Sequence, residues 1–210
     1  EERDLKAVAA ATRVRQLGMH ELLWARGATA EYLGVVVAGR LKVTRQQQRR
    51  EVIVEVVGPE DLVGEVALSL KASYQFDVYC LRRARVLLVP TRVLRKLLEE
   101  RPKAAVALAF DLATQVLRLT RRVESLTAGT VEQRLARVLV GLVDRFGEPF
   151  PGGVLVPLRL RREDLASLAA TTLESTSRRL TEWKKKGIVQ PQPSGYLVRD
   201  VQALRRIVET

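Results

Sequence analysis

Residues 160–189, LRREDLASLAATTLESTSRRLTEWKKKGIV, constrain the fold of this chain more than any other stretch. Leu165, Leu168 and Ala169 recur at helical spacing, as do Thr176, Leu180 and Trp183, so the segment reads as two short amphipathic helices joined at Ala170-Thr171-Thr172. Thr171 with Glu174 matches a capping box, and Thr172 is an alternative cap. The second helix is expected to expose Glu174, Ser175, Ser177, Arg178 and Arg179, followed by Lys184-Lys185-Lys186. Short hydrogen-bonding side chains at the helix start, with cations beyond them, suit a helix in a DNA major groove. Its first turn reaches base edges while the cations meet phosphates. A solvated helix pair in an all-α domain is the plainer alternative for this segment taken alone.

The residues just past this pair narrow the choice. Gly187-Ile188-Val189, then Gln-Pro-Gln-Pro-Ser-Gly, then Tyr196-Leu197-Val198 are two β runs around a Pro/Gly turn. They predict a hairpin, and with it a winged helix-turn-helix. Pro191 and Pro193 predict an irregular, exposed hairpin tip, and VQALRRIVET a closing helix.

At 210 residues the chain can hold one large or two small domains, each with its own core. No apolar run has the length of a membrane helix, and EERDLKAVAA lacks a signal-peptide pattern, so no membrane partner is expected. The single cysteine, Cys80, makes no internal disulfide and holds no metal alone, which points to a reducing cytoplasm. Cys80 lies in the strand-like run FDVYCLRRA and reads as buried packing. The formal charge of +12 fits a polyanion partner. The excess is spread along the chain, however: residues 159–186 hold 8 basic and 4 acidic side chains. Nothing in the chain pairs a nucleophile with a histidine, clusters metal ligands or forms a phosphate loop, so an enzyme is not expected.

Residues from about 16 to 90 read as all-β, with glycines at turn-like intervals between runs of Val, Leu and Ile. Residues 35–37, 41–43, 52–57 and 84–89 are the predicted strands, and Arg45 to Arg50 a polar hairpin tip. From residue 91 to about 127 the chain is predicted helical, with Pro102 at a helix start. Ala105, Ala109, Leu112, Val116, Leu119, Val123 and Leu126 then recur at spacings of 4 and 3, the seam of a two-stranded coiled coil. Ala109, Leu112, Val116, Leu119, Val123 and Leu126 are therefore expected at a homodimer interface. A second stripe, Val106, Phe110 and Leu117, is expected to face the β-domain of the same subunit. A single helix lying on its own barrel is the alternative. Ala128-Gly129 interrupts, with Gly129 a candidate hinge, and Thr130 to Gln133 forms a capping box for a helix to about Phe146. Phe146 to Gly153 reads as a surface loop and Val154 to Leu160 as a strand.

This order resembles the CRP/FNR superfamily of bacterial transcription regulators over nearly the whole chain. The residues that carry the resemblance are Gly39-Arg-Leu-Lys-Val43, Gly58-Pro-Glu-Asp-Leu-Val-Gly-Glu-Val-Ala-Leu68, Arg162-Glu-Asp-Leu-Ala166 and Leu173-Glu-Ser-Thr-Ser-Arg178. It implies an α+β chain: a cyclic-nucleotide-binding-like β-roll of jelly-roll character over 1–100, a dimerisation helix over 101–128, and a winged helix-turn-helix over 129–210. It implies a homodimer that regulates transcription on a near-palindromic double-stranded operator, with RNA polymerase as a further partner. A ligand-sensing scaffold that binds protein instead of DNA is the other reading. The DNA-facing set is Arg162, Thr172, Leu173, Glu174, Ser175, Ser177, Arg178, Arg179 and Lys184. Glu174, Ser177 and Arg178 match the FNR branch, which implies TTGAT-like half-sites. Glu174 would accept from a cytosine amino group, and Arg178 would reach guanine or a phosphate. Ala170 stands where the family has a turn glycine, and Arg161 where it has a capping Ser or Thr.

By the same resemblance the effector pocket comprises Gly64, Glu65, Val66, Gln75 and Phe76 with Leu119 and Thr120. Gln75 and Phe76 replace the Arg-Ser pair that holds a cyclic phosphate, and Asp77 lies beside them, so cAMP is not expected as effector. With Cys80 as the one cysteine and His20 as the one histidine, neither an iron–sulfur cluster nor haem is expected. Neither a metal site nor catalytic residues are expected.

Overall fold

The computed structural model describes residues 2–47, 50–69 and 72–209. They form two compact units, Glu1–Arg118 and Leu119–Thr210. The boundary falls inside the helix read as the dimerisation segment.

The first unit opens with a helix that the periodicity did not predict, α1 (Glu2–Ala11). Then come β1 (Arg13–Leu17), β2 (Leu22–Trp24), β3 (Tyr32–Gln47), β4 (Arg50–Val57), β5 (Leu62–Val63), a 3₁₀ turn (Glu65–Leu68) and β6 (Asp77–Pro90). All pairing is antiparallel, in the order β1-β6-β3-β4, with β2 also on β6 and β5 on β3. Between Val36 and Leu41 the β3–β6 ladder shifts register repeatedly. Bulges increase local twist, so the long strands curl around a core instead of lying flat. Val36, Leu41, Val78, Cys80 and Val86 form its centre, each at most 1% exposed. Every such aliphatic side chain contributes roughly 1.5–3 kcal/mol by leaving water. The predicted tip at Arg45 to Arg50 is corrected in part. β3 continues to Gln47 and β4 begins at Arg50, because ladder bonds are made by the backbone and tolerate exposed polar side chains. Residues 48 and 49 lie outside the described set.

Two helices follow, α2 (Thr91–Glu100) and α3 (Pro102–Thr127). Between them Arg101 grips Asp4 of α1 with two bonds, of 2.8 and 3.1 Å. Hydrogen bonding to that guanidinium holds the Asp4 carboxyl below the usual carboxylate range. Among the described residues no helix is long and apolar enough to cross a membrane. On α3, Val106, Phe110 and Leu117 are 55%, 70% and 59% exposed, which overturns their expected burial on the β-domain. Of the predicted seam, Ala109, Val116, Leu119 and Val123 are exposed, Leu112 is half-buried, and the Leu126 side chain lies outside the described set.

The second unit contains α4 (Val131–Phe146), β7 (Glu148–Phe150), β8 (Gly153–Val156), α5 (Arg162–Leu168), α6 (Leu173–Lys185), β9 (Val189–Gln192), β10 (Gly195–Val198) and α7 (Val201–Glu209). Its helices close over a four-stranded antiparallel sheet ordered β7-β8-β10-β9. Leu135, Leu139, Leu158, Leu165, Trp183 and Leu204 are fully buried between them. Three sequence expectations change here. The stretch Phe146 to Gly153 is not all loop, because Glu148–Phe150 pairs with β8. The strand expected over Val154 to Leu160 ends at Val156. Pro191 lies inside β9, opposite Tyr196; β9 is an edge strand, where a missing N–H costs no ladder bond. The irregular tip reduces to Pro193-Ser194.

Candidate nucleic-acid interface

The α5–α6 turn closes as a Schellman motif. Thr171 N–H donates to Ala166 C=O at 2.9 Å and Ala170 N–H to Ser167 C=O at 3.2 Å. That geometry needs a left-handed residue after the helix, and Ala170 supplies it at φ 45°. Glycine is the residue that adopts this conformation without a Cβ penalty. Arg134 of α4 braces the turn. Its Nε donates to Ala169 C=O at 3.0 Å and its Nη2 to Ala170 C=O at 3.4 Å, while Nη1 reaches Gly129 C=O at 2.9 Å. One guanidinium thus joins the α3–α4 connection to the helix-turn-helix. Gly129 itself is left-handed, at φ 84°.

Of the two candidate caps, Thr172 opens α6: its Oγ1 accepts from Ser175 N–H at 3.2 Å. At α5, Arg161 has no side-chain acceptor to offer. The cap comes from the other side, where the buried Asp164 carboxylate accepts from Arg161 N–H at 2.7 Å. The box predicted at Thr130 is present in both directions, through Thr130 Oγ1 and Gln133 Oε1.

Thr176, Leu180 and Trp183 bury the inner face of α6. The opposite face is a stripe at spacings of 3 and 4: Leu173 and Glu174, then Arg178, Thr181, and Lys184 with Lys185, all exposed. Leu173 is 44% exposed at the first turn. Thr172 and Arg162 are exposed as well, and Ser175 and Ser177 half-buried. Arg179 departs from expectation. Its Nη1 contacts Glu182 at 2.7 Å and Glu132 of α4 at 3.3 Å, so it is drawn into the domain rather than presented outward. Glu132 also accepts from Trp183 Nε1 at 3.2 Å, making it a second seat for α6 that sequence reasoning missed. Thr181 was missed too, although its place three residues after Arg178 marks the same face. Beyond α6, Lys184, Gly187, Val189, Gln190 and Arg199 line a groove of about 280 Å³ against the hairpin. Arg199 Nε is held by Gln190 Oε1 at 3.0 Å.

In the first unit a half-open cavity of about 130 Å³ gathers five of the predicted effector residues, Gly64, Glu65, Val66, Gln75 and Phe76, with Trp24 and Tyr74. Trp24 and Tyr74 stack at 4.2 Å with their planes 1° apart. Gly64 makes room for them: at φ 80°, a Cβ there would lie 2.6 Å from Trp24 Cζ2. The Tyr74 hydroxyl donates to Tyr32 C=O at 2.9 Å, and burial pushes its pKa up, so the ring stays neutral. Gln75 Nε2 donates to Ser73 C=O at 2.8 Å. Asp77 turns to Arg26 N–H at 2.9 Å. Among the described residues, none lining the cavity is basic. Leu119 and Thr120 belong to the other compact unit and are exposed. His20 is exposed in a turn, at φ 66°. Cys80 is fully buried, and burial raises its thiol pKa. No group of three or more His, Cys, Asp or Glu side chains converges to hold a metal among the described residues.

Comparison with known proteins gives the same two-part division. Residues 133–207 match the Crp-like helix-turn-helix domain and residues 14–101 the cyclic nucleotide-binding domain. The chain is similar to a CRP-like cAMP-activated global transcriptional regulator of Mycobacterium tuberculosis, 24% identical over 88% of this chain and 83% of that protein. It is also similar to an anaerobic regulatory protein of Bacillus subtilis, 23% identical over 88% of this chain and 78% of the other. In fold it matches the crystal structure of a CRP-family transcriptional regulator of Thermus thermophilus. The TM-score is 0.82 at 24% identity, over 93% of this chain and 97% of that one.

Proposed function

The chain belongs to the CRP/FNR superfamily of transcription regulators, and from that premise we propose how it engages DNA and what it does without. It is a DNA-binding transcription regulator. It acts as a homodimer, paired along the exposed apolar face of α3, with one α6 in each of two successive major grooves about one helical turn apart. The observation that carries this reading is the α6 stripe, a polar and cationic face opposite a fully buried one. Glu174 and Arg178 read bases, Arg178 toward guanine and Glu174 toward a cytosine amino group. Lys184, Lys185 and Arg199 meet phosphates. Arg179 positions α6 through Glu132 and Glu182 instead of touching DNA.

In this reading neither cAMP, an iron–sulfur cluster nor haem is required. A cyclic phosphate asks for a cation or several free donors. The described lining of the first-unit cavity offers no cation, and Gln75 spends one of its two amide N–H groups on Ser73 C=O. The lone Cys80 is buried and the lone His20 lies in an exposed turn. RNA polymerase is the further partner, reached from surfaces outside the operator contact.

Fluorescence anisotropy on a palindromic duplex with TTGAT-like half-sites, against a scrambled duplex and with and without cAMP, tests the reading. Specific binding at one dimer per duplex without cAMP is the expected result. Binding that requires cAMP overturns the cavity argument.

A further inference from the structure

We propose that Glu132 and Glu182 withhold Arg179 from the DNA backbone, and that this clamp sets specificity: it lowers sequence-independent attraction and leaves the operator to be chosen by base contacts. The inference rests on the reading of α6 as the DNA-facing helix, and deepens it by naming residues that govern discrimination without touching a base.

Helix geometry places the cation. At 3.6 residues per turn, Arg179 lies about 100° around α6 from Arg178, and Lys184 about 120° around it on the other side. With Arg178 pointing into a major groove, the two flanks of the helix face the groove walls, which carry the phosphates. Lys184 is exposed on its flank. Arg179 stands on the opposite flank, where a free guanidinium would meet the second wall.

That guanidinium is engaged inside the domain instead. Its Nη1 lies 2.7 Å from Glu182 Oε2 and 3.3 Å from Glu132 Oε2. Two carboxylates on one cation leave this flank with more negative than positive charge. Glu182 lies about 40° around from Arg178, between it and Arg179, so a phosphate approaching this side meets a carboxylate first. Glu132 comes from α4, and its other oxygen accepts from Trp183 Nε1 at 3.2 Å. The carboxylate that restrains Arg179 therefore also seats α6.

Ion pairs as exposed as these contribute little to stability, so their consequence lies in binding. Non-specific affinity comes almost wholly from phosphate contacts, and a withheld cation subtracts from it directly. On an operator the base contacts fix α6, and opening the clamp loosens the seat that aims them. Release of Arg179 should strengthen binding to any DNA, and least on the operator.

Fluorescence anisotropy of the full chain across a range of salt, on the palindromic duplex with TTGAT-like half-sites and on a scrambled duplex, reads this directly. The variant combines Glu132→Gln with Glu182→Gln, which keeps side-chain size and leaves Trp183 an acceptor. On scrambled DNA it should bind about threefold or more tighter than wild type, with a salt slope steeper by about 1. The operator-to-scrambled affinity ratio should fall by about twofold or more. Adding Arg179→Gln should cancel the gain. An unchanged slope on scrambled DNA overturns the proposal, as does a gain that survives Arg179→Gln or an equal rise on both duplexes. Glu182→Gln alone leaves both Glu132 contacts in place and should move the readings the same way by less. If the double variant misfolds, an unmoved Glu182→Gln overturns the proposal in its stead. A wild type without preference for the operator contradicts the reading of α6 itself, whereas a preference that the double variant keeps in full removes this inference alone.

Discussion

Single residues carry the α5–α6 turn, and Ala170 is the most instructive. Its left-handed backbone is imposed by the Schellman bonds on either side, and an L side chain resists it. Ala170→Gly is therefore expected to raise stability by about 0.5–1 kcal/mol, the relief of strain outweighing the looser unfolded chain. A shift of the urea midpoint to higher concentration at constant slope would show it; an unchanged or lower midpoint would mean that strain at Ala170 does not outweigh the looser unfolded chain. Glu132 works at the same scale. Glu132→Ala removes both the Trp183 bond and the Arg179 ion pair, and should lower stability by roughly 1–2 kcal/mol after allowing for partial exposure of the pair. Glu132→Gln keeps an acceptor for Trp183 and should lose less than half as much, read from paired thermal melts. The two positions differ in legibility. Ala170 stands out in the sequence because the family places glycine there. Glu132 and Arg134 do not, because their partners lie 51 and 35 residues away and no local pattern records such a contact.

Among the elements, the helices after α1 and the long buried strands β3, β4 and β6 are legible in the sequence alone, because their apolar spacing is regular. α3, α4, α6 and α7 follow from periodicity and capping residues. The misses have physical causes as well. β3 is longer than its apolar core because its end pairs through the backbone alone, and its bulges break the alternation that marks a strand. β7 is three residues with a central proline, a composition that favours loops, and only its pairing with β8 makes it a strand. On α3 periodicity showed two apolar stripes, and the one expected to face the β-domain, Val106, Phe110 and Leu117, is not covered by it. Both are largely open, with Phe110 70% and Val116 60% exposed. A partner helix is the natural cover for such a face. Val116→Glu places a charge in the proposed interface on each copy and is expected to weaken dimerisation by about tenfold or more. Sedimentation equilibrium should then show monomer at concentrations where the wild type is dimeric. An unchanged association constant would locate the interface elsewhere.

At the scale of the whole molecule, a formal charge of +12 ensures attraction to any DNA, so affinity alone says little about reading. The central claim is that α6 reads sequence, with Arg178 touching a base edge on its outward stripe. Arg178→Ala, compared with wild type by anisotropy on the palindromic duplex with TTGAT-like half-sites and on a scrambled duplex at one salt concentration, tests it most directly. The expected result is a loss of about 1–3 kcal/mol on the operator, relaxed preference at one base position, and little change on scrambled DNA. An equal loss on both duplexes would contradict it, and would make Arg178 a backbone contact only.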